Sequence, residues 1–177
     1  MDNDEKEKNG NDFAAMRDVP NRWEDFDFER HIPYFLARTS NVVRAATTPA
    51  YLAALRNQAP LSVREFRVLI VVAKFGPISP AASADRTGMD RATVTRAIAG
   101  LKRQGLIETQ KNALDRRGKY VVLTAEGAAI CDRVFPMMKE RGALLADVFS
   151  AGEEAEFRRM LNKLYERAMA LIEEKRE

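Results

Sequence analysis

The fold is indicated most clearly by residues 90–110, which read DRATVTRAIAGLKRQGLIETQ. Asp90 is a typical helix N-cap, and Gly105 is a typical residue at a helix C-terminus. Between them, apolar side chains recur every three or four positions, as on one face of a helix: Val94, Ala97, Ile98 and Leu101. The stretch therefore predicts an amphipathic helix from Asp90 to Gly105.

Two shorter helices are predicted immediately before it. Ser62 and Glu65 have the spacing of a capping box, and Gly76-Pro77 ends the apolar pattern that follows them. Ser79-Pro80 then has the residue types of a helix start, and Gly88 suits a tight turn with a left-handed backbone. The predicted order is a helix, a short helix, a tight turn and the helix described above.

Beyond residue 105 the apolar period becomes that of β-strands. Residues 106–110 and 119–123 predict two strands around a polar, basic turn at 111–118. A long helix is predicted over 124–148, and a second capping box begins another at Ser150. That last helix carries a narrow apolar seam, which is typical of packing between helices within or between chains: Phe157, Leu161, Leu164, Ala168 and Leu171.

The N-terminal part of the chain is less regular. Residues 1–12 are polar and acidic, which predicts a disordered tail, and the aromatic residues within 13–28 are expected to pack, with a partner subunit as one candidate. Residues 30–46 predict a helix. Thr48 and Pro49 have the residue types of a cap and first turn, so a separate short helix is predicted to follow, ending near residue 57.

Charge is concentrated in the middle of the chain. The formal net charge is +3, but residues 31–84 carry six basic and one acidic side chain, and residues 85–123 carry nine and four. Both ends are net acidic. Local basic charge attracts phosphates, so the central blocks favour a polyanion-binding surface, with a merely solvated basic face as the alternative.

Composition excludes several other classes of protein. The single cysteine, Cys131, excludes an intrachain disulfide framework and a zinc site built on several thiolates, and the single histidine, His31, argues against a histidine-based metal site or catalytic triad. No apolar run is long enough to span a membrane, and the acidic start is unlike a secretory signal, so a cytoplasmic protein is expected. A glycine-rich cofactor loop after a strand is also missing. We therefore expect neither a cofactor nor enzymatic activity.

The motifs together resemble a known family. Residues 30–175 resemble MarR-family transcriptional regulators, in which a winged helix-turn-helix lies between N- and C-terminal dimerisation helices. The resemblance rests on four linked motifs at the family's spacing, namely Asp90-Arg91-Ala92-Thr93-Val94-Thr95-Arg96, Leu101-Lys102-Arg103-Gln104-Gly105-Leu106-Ile107, Asp115-Arg116-Arg117-Gly118-Lys119 and Leu123-Thr124-Ala125-Glu126-Gly127.

The resemblance implies a mostly α-helical fold with a small β-wing and four regions. Residues 1–29 are expected to be an acidic, partly disordered extension. Residues 30–60 supply N-terminal helices to the dimerisation region, and residues 61–124 form the winged helix-turn-helix DNA-binding domain. The C-terminal dimerisation helices occupy residues 125–177.

The predicted recognition helix presents polar side chains opposite its apolar face. Outward-facing residues are expected to meet double-stranded DNA in the major groove: Arg91, Ala92, Thr95, Arg96 and Arg103. Arg91 and Arg96 are expected to form bidentate bonds to guanine and the Thr95 methyl to meet a thymine methyl, whereas Thr93 is expected to contact a phosphate. The alternative is a solvated helix without a ligand.

The resemblance also assigns roles to the turn between the strands. Arg117 is expected to enter or approach the minor groove, with Asp115 supporting its guanidinium through a charge-assisted bond. Arg116 and Lys119 are expected to contact phosphates. The alternative is a hairpin tip that is charged for solubility.

A small-molecule site is expected near the first helix. His31, Tyr34, Phe35 and Arg38 share one helix face. MarR-type proteins often bind a phenolic or carboxylate effector between the dimer helices and the winged helix. By this resemblance Arg38 pairs with a carboxylate and Tyr34 with a hydroxyl, while Arg64 and Arg67 are further candidates. Packing in a dimer core is the alternative for the aromatic residues.

The function expected on these grounds is that of a homodimeric, effector-responsive transcription regulator. The most favoured form is a repressor that binds a pseudo-palindromic operator and is released by an aromatic, anionic effector, such as an aromatic acid or its CoA thioester. Regulation of aromatic compound catabolism would follow. Two alternatives are a redox-sensing regulator that uses Cys131 and a winged helix that serves as a protein-interaction adaptor.

Overall fold

A computed structural model describes residues 23–111 and 119–174. The described residues fall into two compact units that divide after Arg44. The elements are α1 (Ile32–Leu55), α2 (Val63–Phe75), α3 (Pro80–Thr87), α4 (Arg91–Arg103), β1 (Ile107–Lys111), β2 (Lys119–Leu123), α5 (Ala125–Ala146) and α6 (Ala151–Glu173). This order confirms a mostly helical fold with a small β-wing.

The helix starts follow the caps in the sequence. At α2 the Ser62 hydroxyl accepts the Glu65 amide at 3.2 Å, and the Glu65 carboxylate accepts the Ser62 amide at 2.8 Å. Asp90 caps α4 by accepting the Thr93 amide at 2.8 Å. Gly88 has a φ of +62°, which confirms the left-handed turn between α3 and α4. Local hydrogen bonding therefore determines where the helices of the helix-turn-helix begin.

The predicted break at Thr48 and Pro49 was wrong. Helix α1 is continuous over 24 residues, and Pro49 lies inside it. A proline within a helix removes one backbone hydrogen bond to the preceding turn but keeps a helical φ. The turns that follow bury Tyr51 and Leu55, and this packing favours continuation of the helix.

The wing is a two-stranded antiparallel sheet with one additional attachment. Strands β1 and β2 pair from Ile107 opposite Leu123 to Lys111 opposite Lys119. Ile78, in the loop before α3, exchanges two backbone hydrogen bonds with Val121 of β2, at 2.8 and 3.1 Å. This bridge joins the start of α3 to the wing strand.

One core holds the winged helix-turn-helix together. Helices α2 and α4 pack against each other, and each also contacts α3. Several side chains with almost no exposure lie in α2, α4 and the wing: Val68, Leu69, Val72, Val94, Leu101 and Val121. Because α4 is fixed by this core on one face, its opposite face is presented to solvent in a defined orientation.

Helix α6 differs from the others because none of its residues is buried. Its exposed side chains include Phe157, Leu161 and Leu171 of the predicted seam, together with Met160, Tyr165 and Ile172. The stacked rings of Phe149 and Phe157, 5.3 Å apart, lie at its start. A helix with an apolar face of this length is typical of an interface.

Gly127 allows the first turn of α5 to approach the wing closely, and its replacement is expected to destabilise the fold. A Cβ at this position would lie 1.9 Å from the backbone oxygen of Leu106. We expect Gly127→Ala to lower the free energy of unfolding by about 1–3 kcal/mol, because backbone must shift to relieve the clash. Urea unfolding at one fixed protein concentration measures the change.

Gly142→Ala provides a matched control in the same helix. Apart from its chain neighbours and the nearby backbone of its own helix, no atom lies within 4 Å of a Cβ placed there. Alanine is the better helix former by up to about 1 kcal/mol, so this variant should be unchanged or slightly more stable. Equal free energies of unfolding for the two variants would contradict the close approach at Gly127.

Candidate nucleic-acid interface and effector face

Helix α4 presents the polar face that the sequence assigned to DNA. Arg91, Ala92, Thr95 and Arg96 are exposed, and Thr93 is half-buried. Val94 and Ala97 between them are buried in the core. Four of the five predicted residues in the first turns of α4 are therefore open to solvent on a helix whose other face is fixed.

Hydrogen bonds along α4 orient these side chains. The Arg96 guanidinium donates to the Thr93 hydroxyl at 3.1 Å. The Thr95 hydroxyl donates to the carbonyl of Arg91 at 2.8 Å, which engages the hydroxyl with the helix backbone. The pKa of Asp90 is lowered by its hydrogen bonds from Thr93, with a smaller contribution from Arg96. The cap is therefore a carboxylate at neutral pH.

Arg67 has a position that sequence reasoning did not anticipate. Its guanidinium donates to the carbonyl of Thr87, the last residue of α3. The Thr87 hydroxyl donates in turn to the carbonyl of Ser83 at 2.8 Å, and Gly88 follows with its left-handed φ. Arg67 thus links α2 to the turn that orients α4. Its predicted role toward an effector stays a prediction.

A second arginine joins the same two helices. The guanidinium carbon of Arg86, in the last turn of α3, lies 4.2 Å from the centre of the Phe75 ring at the end of α2. This is the geometry of a cation–π contact. The sequence suggested no role for either residue, because residues 11 positions apart on different helices have no periodic signal.

The remaining predicted DNA contacts are only partly described. Arg103 is exposed at the end of α4, and Lys119 is exposed at the start of β2. Asp115, Arg116 and Arg117 lie outside the described residues. Their roles at the wing remain predictions from the sequence.

The predicted effector face lies in the N-terminal unit. Tyr34, Phe35 and Arg38 are exposed in the first turns of α1. His31, just before the helix, is also exposed, and its carbonyl accepts the Phe35 amide at 3.0 Å. In the other unit, Arg64 is exposed on α2. Tyr34, Phe35 and Arg38 thus lie on the first turns of α1, with His31 one residue before its start, and their role toward an effector stays a prediction.

The segment before α1 contacts this face. The Arg38 guanidinium donates to the Glu29 carboxylate at 2.6 Å. The Phe28 ring lies edge-on to Tyr34 with ring centres 4.8 Å apart, and the Phe26 ring lies 5.2 Å from that of His31. Sequence reasoning did not identify these three partners, although the acidic character of the extension was a signal for Glu29.

A shallow cavity lies in the same segment. Its volume is about 440 Å³, and Trp23, Glu24, Phe26 and Phe28 line it. All four residues are exposed. The segment therefore forms a ring-lined surface rather than an enclosed binding site.

Cys131 is buried in α5. Burial, and secondarily the charge of Asp132, raises the pKa of its thiol to about 11. The thiolate is the reactive form, so a protonated, buried thiol is a poor sensor of peroxide. These observations do not favour the alternative of a redox regulator.

The described part of the chain shows neither a cluster of metal ligands nor a membrane-spanning helix. Across residues 23–111 and 119–174, no three His, Cys, Asp or Glu side chains are grouped so that they could hold a metal ion. None of the helices in these ranges is both long and apolar enough to cross a membrane.

The geometry is that of a winged helix-turn-helix. Helix α4, with its exposed and partly basic face, follows a tight turn, and a two-stranded wing with Lys119 at its edge lies after it. This arrangement is the one in which a helix enters a DNA groove.

Comparison with known proteins finds similarity to one family of transcriptional regulators. Residues 59–118 match the model of the MarR family. The chain is 30% identical over 109 residues to the HTH-type transcriptional repressor YetL of Bacillus subtilis, an alignment that covers 60% of this chain and 65% of YetL. It thus spans slightly less than two thirds of that relative.

Solved structures share the fold over a longer range. A MarR/EmrR family transcriptional regulator from an Acinetobacter species matches 82% of this chain and 99% of its own, with a TM-score of 0.72 and 21% identity. BpsR of Bordetella bronchiseptica, whose DNA binding is regulated by 6-hydroxynicotinic acid, matches 79% and 96%, with a TM-score of 0.64 and 22% identity. The chain thus shares the fold of these MarR-family regulators, and residues 59–118 carry the family's sequence pattern.

Proposed function

We propose that this protein is a homodimeric transcriptional repressor that binds a pseudo-palindromic operator and is released by a small aromatic acid. The observation that carries the DNA-binding part is the exposed face of α4, where Arg91, Thr95 and Arg96 are held on a helix anchored by the core. Arginine pairs bidentately with guanine in the major groove, and a threonine methyl meets thymine.

Charge supports the same surface. Residues 85–123 contain the recognition helix and the wing, and they carry nine basic and four acidic side chains. Phosphate contacts from Lys119, Arg116 and Arg117 would position α4 without reading sequence. Repression, rather than activation, is the activity that the related YetL carries in its name.

Operator binding is tested by fluorescence anisotropy with DNA from the protein's own promoter region at two salt concentrations. Specific binding should exceed binding to random DNA, and raising the salt should weaken both, because counterions are released from contacted phosphates. Equal, salt-insensitive binding to both DNAs would instead favour the protein-interaction adaptor.

Dimerisation is proposed because α6 exposes its apolar seam. Two copies related by a twofold axis would bury these side chains and present two recognition helices about one DNA turn apart. Light scattering at low micromolar concentration is expected to give about twice the chain mass of 20.0 kDa. A stable, folded monomer at that concentration would contradict the proposed architecture.

The effector is proposed to bind along the first turns of α1. Arg38 supplies a guanidinium for a carboxylate, and Tyr34 and Phe35 supply rings and a hydroxyl. BpsR, which shares the fold, is regulated by 6-hydroxynicotinic acid, an aromatic acid. A thermal-shift screen of aromatic acids and their CoA thioesters tests this proposal, and it fails if none of them raises the melting temperature.

A further inference from the structure

The face assigned to the effector is already occupied by the chain's own N-terminal segment, residues 23–29. We propose that this segment is a built-in competitor of the effector. Its Glu29 carboxylate pairs with Arg38, and its Phe28 ring contacts Tyr34. A carboxylate and an aromatic ring are the two groups that an aromatic acid offers. The inference rests on the proposed effector site at Arg38.

A local turn holds Glu29 in this place. The Asp27 carboxylate accepts the backbone amides of Glu29 at 2.9 Å and of Arg30 at 3.2 Å. The carbonyl of Phe28 accepts the amide of His31 at 3.2 Å, one residue before α1 begins. These bonds turn the chain at the helix start, so that the Glu29 carboxylate reaches Arg38 in the second turn.

The rings of the segment form a connected set on α1. Phe26 and Phe28 lie edge-to-face, 5.0 Å apart, and each also contacts an aromatic side chain of the face, His31 and Tyr34 respectively. Both phenylalanines nevertheless remain about half exposed. They contact the face but are not buried in a hydrophobic core.

Solvent exposure makes this occupant easy to displace. The Arg38 and Glu29 side chains are 54% and 66% exposed, and ion pairs in water contribute little free energy. A ligand with a carboxylate and an aromatic ring would replace the ion pair of Glu29 with Arg38 and the contact of Phe28 with Tyr34 by equivalent contacts of its own. The segment would therefore lower the apparent affinity for the effector by a small factor and set the concentration at which the regulator responds.

Glu29→Gln tests the proposal, since it removes the charge but keeps the size of the side chain. With benzoate as the probe, the apparent dissociation constant should fall by about two- to fivefold, the range expected for an exposed ion pair. Benzamide, which has no charge to pair with Arg38, should show no such gain. Asp25→Asn is the matched control, because it removes one negative charge from the same segment at an exposed position.

Trp23, the one tryptophan of the chain, gives a readout that needs no ligand. It lies in the segment, so its emission should change when Glu29→Gln releases the ion pair and when benzoate binds to the wild type. Asp25→Asn alone should leave the emission as in the wild type.

The outcomes separate the two proposals. If Arg38→Ala weakens benzoate binding but Glu29→Gln changes neither the affinity nor the Trp23 emission, the competitor is disproved and the effector site stands. If Arg38→Ala binds benzoate as the wild type does, or no benzoate binding is seen in any of the proteins, the effector site and the competitor both fail.

Discussion

Replacing Arg96 with alanine is expected to abolish most of the preference for particular bases at two symmetric operator positions. A bidentate contact between arginine and guanine contributes about 1–3 kcal/mol of discrimination, which corresponds to roughly 5- to 150-fold in affinity ratio. In the free protein the Arg96 guanidinium is hydrogen-bonded to Thr93 on the exposed face of α4. The measurement is anisotropy on operators substituted one base pair at a time.

Arg117→Ala provides the contrasting variant. By resemblance to MarR-family wings, this arginine is proposed to meet the minor groove and the phosphates, so its loss should weaken binding to many sequences by a similar factor and reduce the salt dependence. Arg96→Ala should instead lower binding to the specific operator far more than binding to random DNA. Equal losses on specific and random DNA for both variants would contradict this division between base reading and groove contact.

The helix-turn-helix was predictable because its signals are local. Ser62, Ser79, Asp90 and Ser150 each place a hydroxyl or carboxylate where a helix leaves amides unpaired, and all four cap helices in the structure. The apolar period of α4 then determined which side faces outward. The exposure of Arg91 and Arg96 follows from that period alone.

The prediction at Pro49 was wrong because its local signal is ambiguous. Threonine followed by proline is typical of a helix start, but proline is also tolerated inside a helix when one lost hydrogen bond is offset by packing. The burial of Tyr51 and Leu55 depends on residues distant in sequence. A local sequence pattern cannot predict the stabilisation that comes from this packing.

Contacts between distant residues were likewise invisible to the sequence. The bond from Arg67 to Thr87 spans 20 positions and joins two helices. The bridge between Ile78 and Val121 spans a still longer stretch of chain. Both are set by the packing of α2, α3 and the wing. From its charge, the sequence assigns Arg67 to the effector residues. In the structure it contacts the turn before α4.

Arg38→Ala is expected to leave operator binding intact but to make the complex resist release by the effector. If the guanidinium holds the effector carboxylate, its loss removes an exposed ion pair that contributes up to about 1 kcal/mol. Release should then need about two- to fivefold more ligand. Titration of benzoate against a complex of the protein with fluorescent operator measures the midpoint.

The alternative, in which the aromatic face of α1 belongs to the dimer core, predicts a different result for the same variant. Dimer stability and operator affinity would fall together, with little change in the release midpoint.

The double variant Glu29→Gln/Arg38→Ala adds a further distinction. If Glu29 acts only by occupying Arg38, removing it gains nothing once Arg38 is gone, so the double variant should match Arg38→Ala in its response to benzoate. An independent gain from Glu29→Gln in that background would mean that the carboxylate repels the effector through general charge instead.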